Sequence, residues 1–318
     1  VNAPLPWSSD GDGGNYREWT GSDDSNLIGY MQERYKVKNR PNLQDAWKVV
    51  MTERSFNPLT VMLDGLPAWD RNERAATILT SFLGAKDMEY TRAVWLLMMH
   101  GAIMRAYRPG VKFDYMPVLI GAQGIGKSTL VRLMAMRGDF FTDNIGRMGD
   151  KNAAERLQGK WIVEAGELAS MRHRENEVVK QFISQQADNY RVPWDKHPAD
   201  HKRMCVFVGT TNSSTFLTDN TGARRFLPVR CGIVDPAISP FSADAIPYIE
   251  QAWAEVMHEY REKGTLSLVL PRSVRDEALT AQETCTTDDP KVGLVEDYLA
   301  KHEGERVCIM EIMVEGLD

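Results

Sequence analysis

The chain has 318 residues, of which 43% are hydrophobic and 26% charged, and its 38 basic and 44 acidic side chains leave a net charge of -6. This composition excludes wholesale disorder and allows a sizeable core, in one large domain or two smaller ones. The acidic balance is not that of a typical nucleic-acid binder, although a local basic patch can act inside an acidic protein.

In chain order, residues 1–25 are rich in Gly, Ser and Asp and are expected to form a flexible leader. Residues 26–110 read as a helical domain. Asn42 is a candidate cap for a helix through Asp45, Ala46, Trp47 and Val50. Two more helices are predicted over Arg71 to Leu83 and Met88 to Tyr107, the second apolar enough to be largely buried. Pro109-Gly110 then breaks the chain. From residue 116 short apolar strands alternate with helices: strands at Met116 to Ile120, Lys160 to Glu164, Met204 to Thr210 and Arg225 to Val229, and helices from Lys127, over Glu175 to Gln186, and over Ala245 to Lys263. That alternation predicts an α/β fold, a parallel sheet covered on both faces, over residues 111–270. Residues 271–318 are expected as a short helical segment, with a truncated winged-helix module as one reading.

Four cysteines, Cys205, Cys231, Cys285 and Cys308, are scattered without a C-x-x-C pair, which fits reduced thiols in a cytosol better than zinc or disulfides. The longest apolar run, Ala93 to Met99, is too short to span a bilayer, so no membrane partner is expected. The start, Val1 to Gly14, is polar and shows no signal peptide. The chain begins without Met and stops within an apolar stretch, Val307 to Leu317, as expected of a piece of a longer protein.

Gly121-Ala122-Gln123-Gly124-Ile125-Gly126-Lys127-Ser128 matches G-x-x-x-x-G-K-[ST] in full and is followed by Thr129. At ordinary residue frequencies, such a match arises by chance in about one chain in a hundred of this length. A strand precedes it and an amphipathic helix follows, as a phosphate-binding loop requires. Glycines let successive N–H groups curl around phosphate oxygens, and the helix N-terminus adds partial positive charge. Lys127 is expected on the β- and γ-phosphates of ATP and Ser128 on Mg²⁺. The competing reading is a Gly-rich turn with an incidental lysine.

An acidic strand end completes such a site. Glu164 ends one strand and Glu167 follows; one is expected to hold the metal and the other to polarise water, with Glu164 preferred on the metal side. Asn212 ends the next strand, where an amide can orient the attacking water. Arg224 and Arg225 precede the last strand and suit the spread charge of a transferring phosphoryl group.

The blocks Gly121 to Thr129, Trp161 to Leu168, Arg203 to Asn212 and Thr218 to Val229 closely resemble the virulence-associated E family. The resemblance extends upstream through Phe56 to Pro58, Trp69-Asp70 and Tyr107 to Asp114, covering roughly residues 40 to 270. That family comprises helicase-like ATPases of phages and mobile genetic elements, related to superfamily 3 helicases within the AAA+ class. The resemblance implies a P-loop NTPase fold with a helical oligomerisation collar over 26–110. It also implies ATP and Mg²⁺ as cofactors, and a homo-oligomeric, hexameric ring with ATP at its subunit interfaces. Its partners would be single-stranded DNA and other replication proteins in the cytoplasm of a bacterial host. Asn212 would be the sensor asparagine, and Arg224 and Arg225 would face a neighbour's nucleotide. Superfamily 3 usually has adjacent acids at the strand end, whereas Ala165 and Gly166 here separate Glu164 from Glu167.

In superfamily 3 a hairpin between the acidic strand and the asparagine strand grips DNA in the pore, and the segment Asp188 to Arg203 occupies that place. Lys196 and His197 near its tip and Lys202 suit phosphate contacts, and Trp194 suits base stacking. Arg203 adds charge or serves the ATP site. Pro198 between His197 and His201 argues against a helical zinc pair. Three activities stay open: a ring helicase, an ATPase that remodels proteins, and a DNA-binding assembly module in which ATP only controls ring formation.

Overall fold

The computed structural model of the protein describes residues 19–146, 148, 150–166, 173–191, 197–217, 223–286, 298, 299, 302 and 308–311. The chain divides into two compact units, Val1–Asp64 and Gly65–Asp318. The division falls inside the 26–110 segment read from sequence as one helical domain.

The first unit holds helices α1 (Gly21–Tyr35), α2 (Arg40–Glu53) and α3 (Pro58–Asp64). Helix α1 starts inside the expected leader because Thr20 and Asp23 form a capping box, with Asp23 accepting the Thr20 N–H at 2.9 Å. Such a cap is worth about 1 kcal/mol. The rest of the expected leader, residues 1–18, lies outside the described residues. Asn42 is not the cap of α2. Asn39 is, its side chain accepting the Asn42 N–H at 3.2 Å with Pro41 in the first turn. The Trp19 and Trp47 rings meet at 4.6 Å within this unit.

In the second unit the predicted Arg71 to Leu83 helix is shorter. Asp70 accepts the Asn72 N–H and both Arg74 guanidinium nitrogens, holding a turn that delays helix α4 to Ile78–Leu83. Helix α5 (Glu89–Tyr107) forms as read and is buried along most of its length. Within it the fully buried Arg105 donates to the carbonyls of Cys205 and Phe113 at 2.7 Å each, tying the helix to the strands behind it. Burial lowers the pKa of that guanidinium from its ordinary value.

Among the described residues seven strands follow: β1 (Met116–Ile120), β2 (Phe141–Thr142), β3 (Ile162–Ala165), β4 (Ala187–Tyr190), β5 (Ala199–Lys202), β6 (Val206–Thr211) and β7 (Phe226–Arg230). They alternate with helices α6 (Lys127–Met134), α7 (Lys151–Arg156), α8 (His173–Ser184), α9 (Ala245–Lys263) and α10 (Arg275–Glu283). Five strands form one parallel sheet in the order β2-β3-β6-β1-β7, and β4 and β5 make a separate antiparallel hairpin. On one face Met116, Val118, Val163, Phe207 and Phe226 pack with Val179, Phe182 and Ile183 of α8. The alternating residues Leu119, Ile162, Val206 and Val208 are equally buried. Both faces are therefore covered, which is why the central strands read as unbroken apolar runs.

The β7 edge is closed by side chains. Gln282 of α10 donates to the Phe226 carbonyl at 2.8 Å and the Tyr90 hydroxyl to the Pro228 carbonyl at 3.0 Å. Pro228 itself has no N–H to offer another strand. Of the expected C-terminal helical segment, α10 and a short turn at Ile309–Glu311 are described.

Candidate functional site

Strand β1 ends at Ile120, and the loop from Gly121 leads directly into α6 at Lys127. Gly124 and Gly126 have φ values of 88° and 94°, a region that side chains avoid. A Cβ on Gly126 would also meet the Pro240 ring at 2.8 Å. The pattern of glycines in the sequence is thus demanded by the backbone path. Ile125 folds under the loop, its Cδ1 placed 2.8 Å from where a Cβ on Gly121 would lie.

The Lys127 ammonium donates to the carbonyls of Gly121 at 2.6 Å and Ala122 at 2.8 Å and to Asn212 Oδ1 at 3.0 Å. Only 7% of the residue is exposed. Burial lowers its pKa, while the nearby Glu164 carboxylate acts the other way. The Cys231 thiol is in turn pushed up to about 12 by burial, so it stays protonated and inert beside the loop.

Glu164, at the end of β3, is 4% exposed. Its Oε1 accepts the Ser128 hydroxyl at 2.6 Å and the Thr210 hydroxyl at 2.7 Å. Registers explain the convergence. β6 lies between β1 and β3, pairing Leu119 with Thr210 and Ala165 with Gly209, so the three carboxyl ends open side by side. Ligands bind at such strand ends in open α/β sheets. Gln123, Gly124, Gly126, Lys127, Ser128, Thr129, Glu164, Thr210, Thr211 and Asn212 line one cavity of about 500 Å³ there. Two hard oxygens, the Ser128 hydroxyl and the Glu164 carboxylate, are adjacent and suit a small divalent cation. The buried ammonium beside glycine backbone suits a polyphosphate. Glu167 lies outside the described residues.

Arg224 and Arg225 are not brought to this cavity. Strands β1 and β7 run parallel with Met116 opposite Phe226 and Ile120 opposite Arg230, so Arg225 sits at the amino end of the sheet and Gly121 at the carboxyl end. At about 3.3 Å per residue the two are on the order of 20 Å apart. Arg225 is half-buried; its Nε donates to the Ser184 hydroxyl at 2.7 Å and lies 4.0 Å from Asp114. Arg224 is exposed. Both line a second cavity of about 620 Å³ together with Lys112, Asp114 and Arg275.

The β4–β5 hairpin also stands at the amino end, its closing pair being Tyr190 and Ala199. His197 and Lys202 are exposed, as a phosphate contact requires. Trp194 and Lys196 lie outside the described residues. Arg203 serves neither role proposed for it. It is 3% exposed, donates twice to Asp188 at 2.6 Å and once to Gln185 at 2.7 Å, and stacks 4.2 Å from the Phe182 ring. A guanidinium taken this far from water needs a carboxylate partner, and Asp188 at the hairpin base supplies it.

Residues 63–287, more than half of the chain, match the family model described as virulence-associated protein E-like domain. The chain belongs to that family. No curated protein matches it. Among solved structures, an apo structure of the NrS-1 C-terminal region (305–718) aligns at 15% identity and TM-score 0.47, covering 83% of this chain and 63% of that one. An A-form apo structure of the same region aligns at 15% identity and TM-score 0.48, covering 83% and 62%. The chain thus spans less than two thirds of the length of these structures. Among the described residues of this virulence-associated E-like chain, no helix is long and apolar enough to cross a membrane. Sequence reading missed Thr210, which orients Glu164, and Phe241, which lines the same cavity from a loop beyond β7. A hydroxyl inside an apolar strand carries a weak signal for the first; nothing local marks the second.

Proposed function

We propose that the protein is an ATPase, the motor of a helicase-like ring that moves on single-stranded DNA during replication of a phage or mobile genetic element. One observation carries this reading: Lys127, Ser128, Glu164 and Asn212 converge on a single cavity at the strand ends, while Arg224 and Arg225 stand at the opposite end of the same sheet. A chain so built has half a site at each end and is completed by a neighbour of its own kind. Bound ATP with Mg²⁺ would supply an electrophilic phosphoryl group and its counter-charge. The loop glycines and Lys127 hold phosphate oxygens, the ammonium exchanging its carbonyl contacts for them. Ser128 and Glu164 hold the cation, and Thr210 keeps the Glu164 carboxylate turned toward it. Asn212 positions the attacking water, and Glu167 is assigned as the group that accepts its proton. The exposed guanidinium of Arg224 reaches across to the neighbour's cavity. His197 and Lys202 on the hairpin meet DNA phosphates, with Lys196 and Trp194 between the strands assigned to the same task. Six weakly basic hairpins in one pore focus a positive potential that a single acidic subunit lacks.

The test is ATP hydrolysis with and without single-stranded DNA, at low salt and two protein concentrations. Stimulation by DNA that grows with protein concentration supports the shared site. Hydrolysis indifferent to DNA keeps the ATPase and moves the role to assembly or protein remodelling. No hydrolysis with Mg²⁺ at any concentration removes the reading.

A further inference from the structure

The cavity at the strand ends has one wall that phosphate chemistry does not explain. Phe241 is 68% exposed, yet it lines the same cavity as Lys127 and Ser128. Its position is built. Pro240 lies against Gly126 so closely that a Cβ there would meet the proline ring at 2.8 Å and the Phe241 ring at 3.5 Å. The Phe241 N–H donates to the Ser239 hydroxyl at 3.2 Å, the Ser242 N–H to the Ser239 carbonyl at 3.0 Å, and the Ile238 N–H to the Ser81 carbonyl at 2.9 Å. The turn leads straight into α9, beginning at Ala245. The backbone of Phe241 is therefore held against the loop while its ring stays open to solvent.

A large aromatic ring left in water forgoes most of the stabilisation that burial would bring. The ring and the carboxylate also meet the loop at different residues, Phe241 at Gly126 and Glu164 at Ser128, and both line the one cavity. The ring has only two torsions to fix, so little conformational entropy opposes its use as a platform.

We propose that Phe241 is the base-stacking platform of the nucleotide site, taking the purine of a purine nucleoside triphosphate on its face. This rests on the reading of the loop as a phosphate site. Recognition through a ring face is indifferent to the base's hydrogen-bonding edge, so ATP and GTP are held alike.

Calorimetry on the full chain tests this, using ATP, GTP and inorganic tripolyphosphate with Mg²⁺. Phe241→Ala, a mild change at an exposed position, is expected to weaken ATP and GTP by about tenfold and to leave tripolyphosphate unchanged. Phe241→Trp is expected to restore both nucleotides. Unchanged ATP affinity in the alanine variant overturns the proposal, as does equal loss for tripolyphosphate, which would mean a disturbed loop. A loss confined to ATP would point to edge recognition and overturn stacking. A fall in oligomeric state with nucleotide affinity intact would make the ring a subunit contact instead. Failure of tripolyphosphate itself to bind the unaltered chain removes the phosphate site and the platform together, whereas the other outcomes leave the phosphate site standing.

Discussion

The two ends of the parallel sheet are built by different means. At the carboxyl end the contacts of Lys127, on two loop carbonyls and Asn212, and of Ser128, on Glu164, are ones that the proposed chemistry would exchange. At the amino end the buried cations are locked. Arg203 is held by Asp188 and Gln185, and Arg105 by carbonyls of Cys205 and Phe113. In the proposed reaction the first end would exchange partners, whereas the second is a brace on which exposed groups such as Arg224, His197 and Lys202 are mounted. The difference teaches that cation identity alone does not mark a site; burial with a fixed partner marks a scaffold.

Substitutions can break this comparison, the largest effect coming from the brace. Arg203→Met leaves Asp188 buried without its partner and is expected to cost about 3–5 kcal/mol, read as a lower midpoint in urea denaturation. A midpoint within error of the original would mean that Arg203 is not structural. Lys127→Ala at the other end is expected to lower hydrolysis by about 10² to 10³ with a smaller fall in the denaturation midpoint than Arg203→Met, since the ammonium's hydrogen-bond partners are neutral oxygens rather than a buried carboxylate. Retained turnover in a phosphate-release assay would sink the assignment of the loop. Mixing Lys127→Ala with Arg224→Ala subunits then asks whether the two ends meet between chains. Partial recovery of hydrolysis on mixing is expected, because some interfaces regain both an intact lysine and an intact arginine; no recovery would place the arginine's work inside one chain or nowhere. Smallest is Lys202→Ala on the hairpin, which should reduce the slope of log affinity for single-stranded DNA against log salt by about 0.7, with basal hydrolysis unchanged. An unaltered slope would take Lys202 off the DNA path.

Much of this was legible in the residues themselves. The G-x-x-x-x-G-K-S run announced both a loop and its flanking strand and helix, because only glycines accept the φ values found at Gly124 and Gly126. The strands at 116, 162, 206 and 226 stood out because a sheet buried on both faces must be apolar throughout. Two errors had local causes. Asn39 and Asn42 are equivalent as cap candidates until Pro41 is placed in the first turn, and Asp70 stops a helix that periodicity alone would begin at Arg71. Arg203 read as a free cation because nothing in its neighbourhood in sequence says that Asp188 folds back against it.

By itself, the sequence determined the glycine-rich loop between strand and helix, the alternation of strands and helices, and membership of the family, because each of these rests on spacings within a few tens of residues. Only the tertiary structure decided which groups share a cavity. Strand order set Thr210 and Asn212 beside Lys127 and Glu164, the parallel pairing of β1 with β7 sent Arg224 and Arg225 to the far end, and the turn before α9 brought Phe241 to the loop. The physical reason is that backbone conformation is a local preference, whereas proximity between distant segments depends on how strands pair and helices cover them, and no single stretch of sequence encodes that pairing.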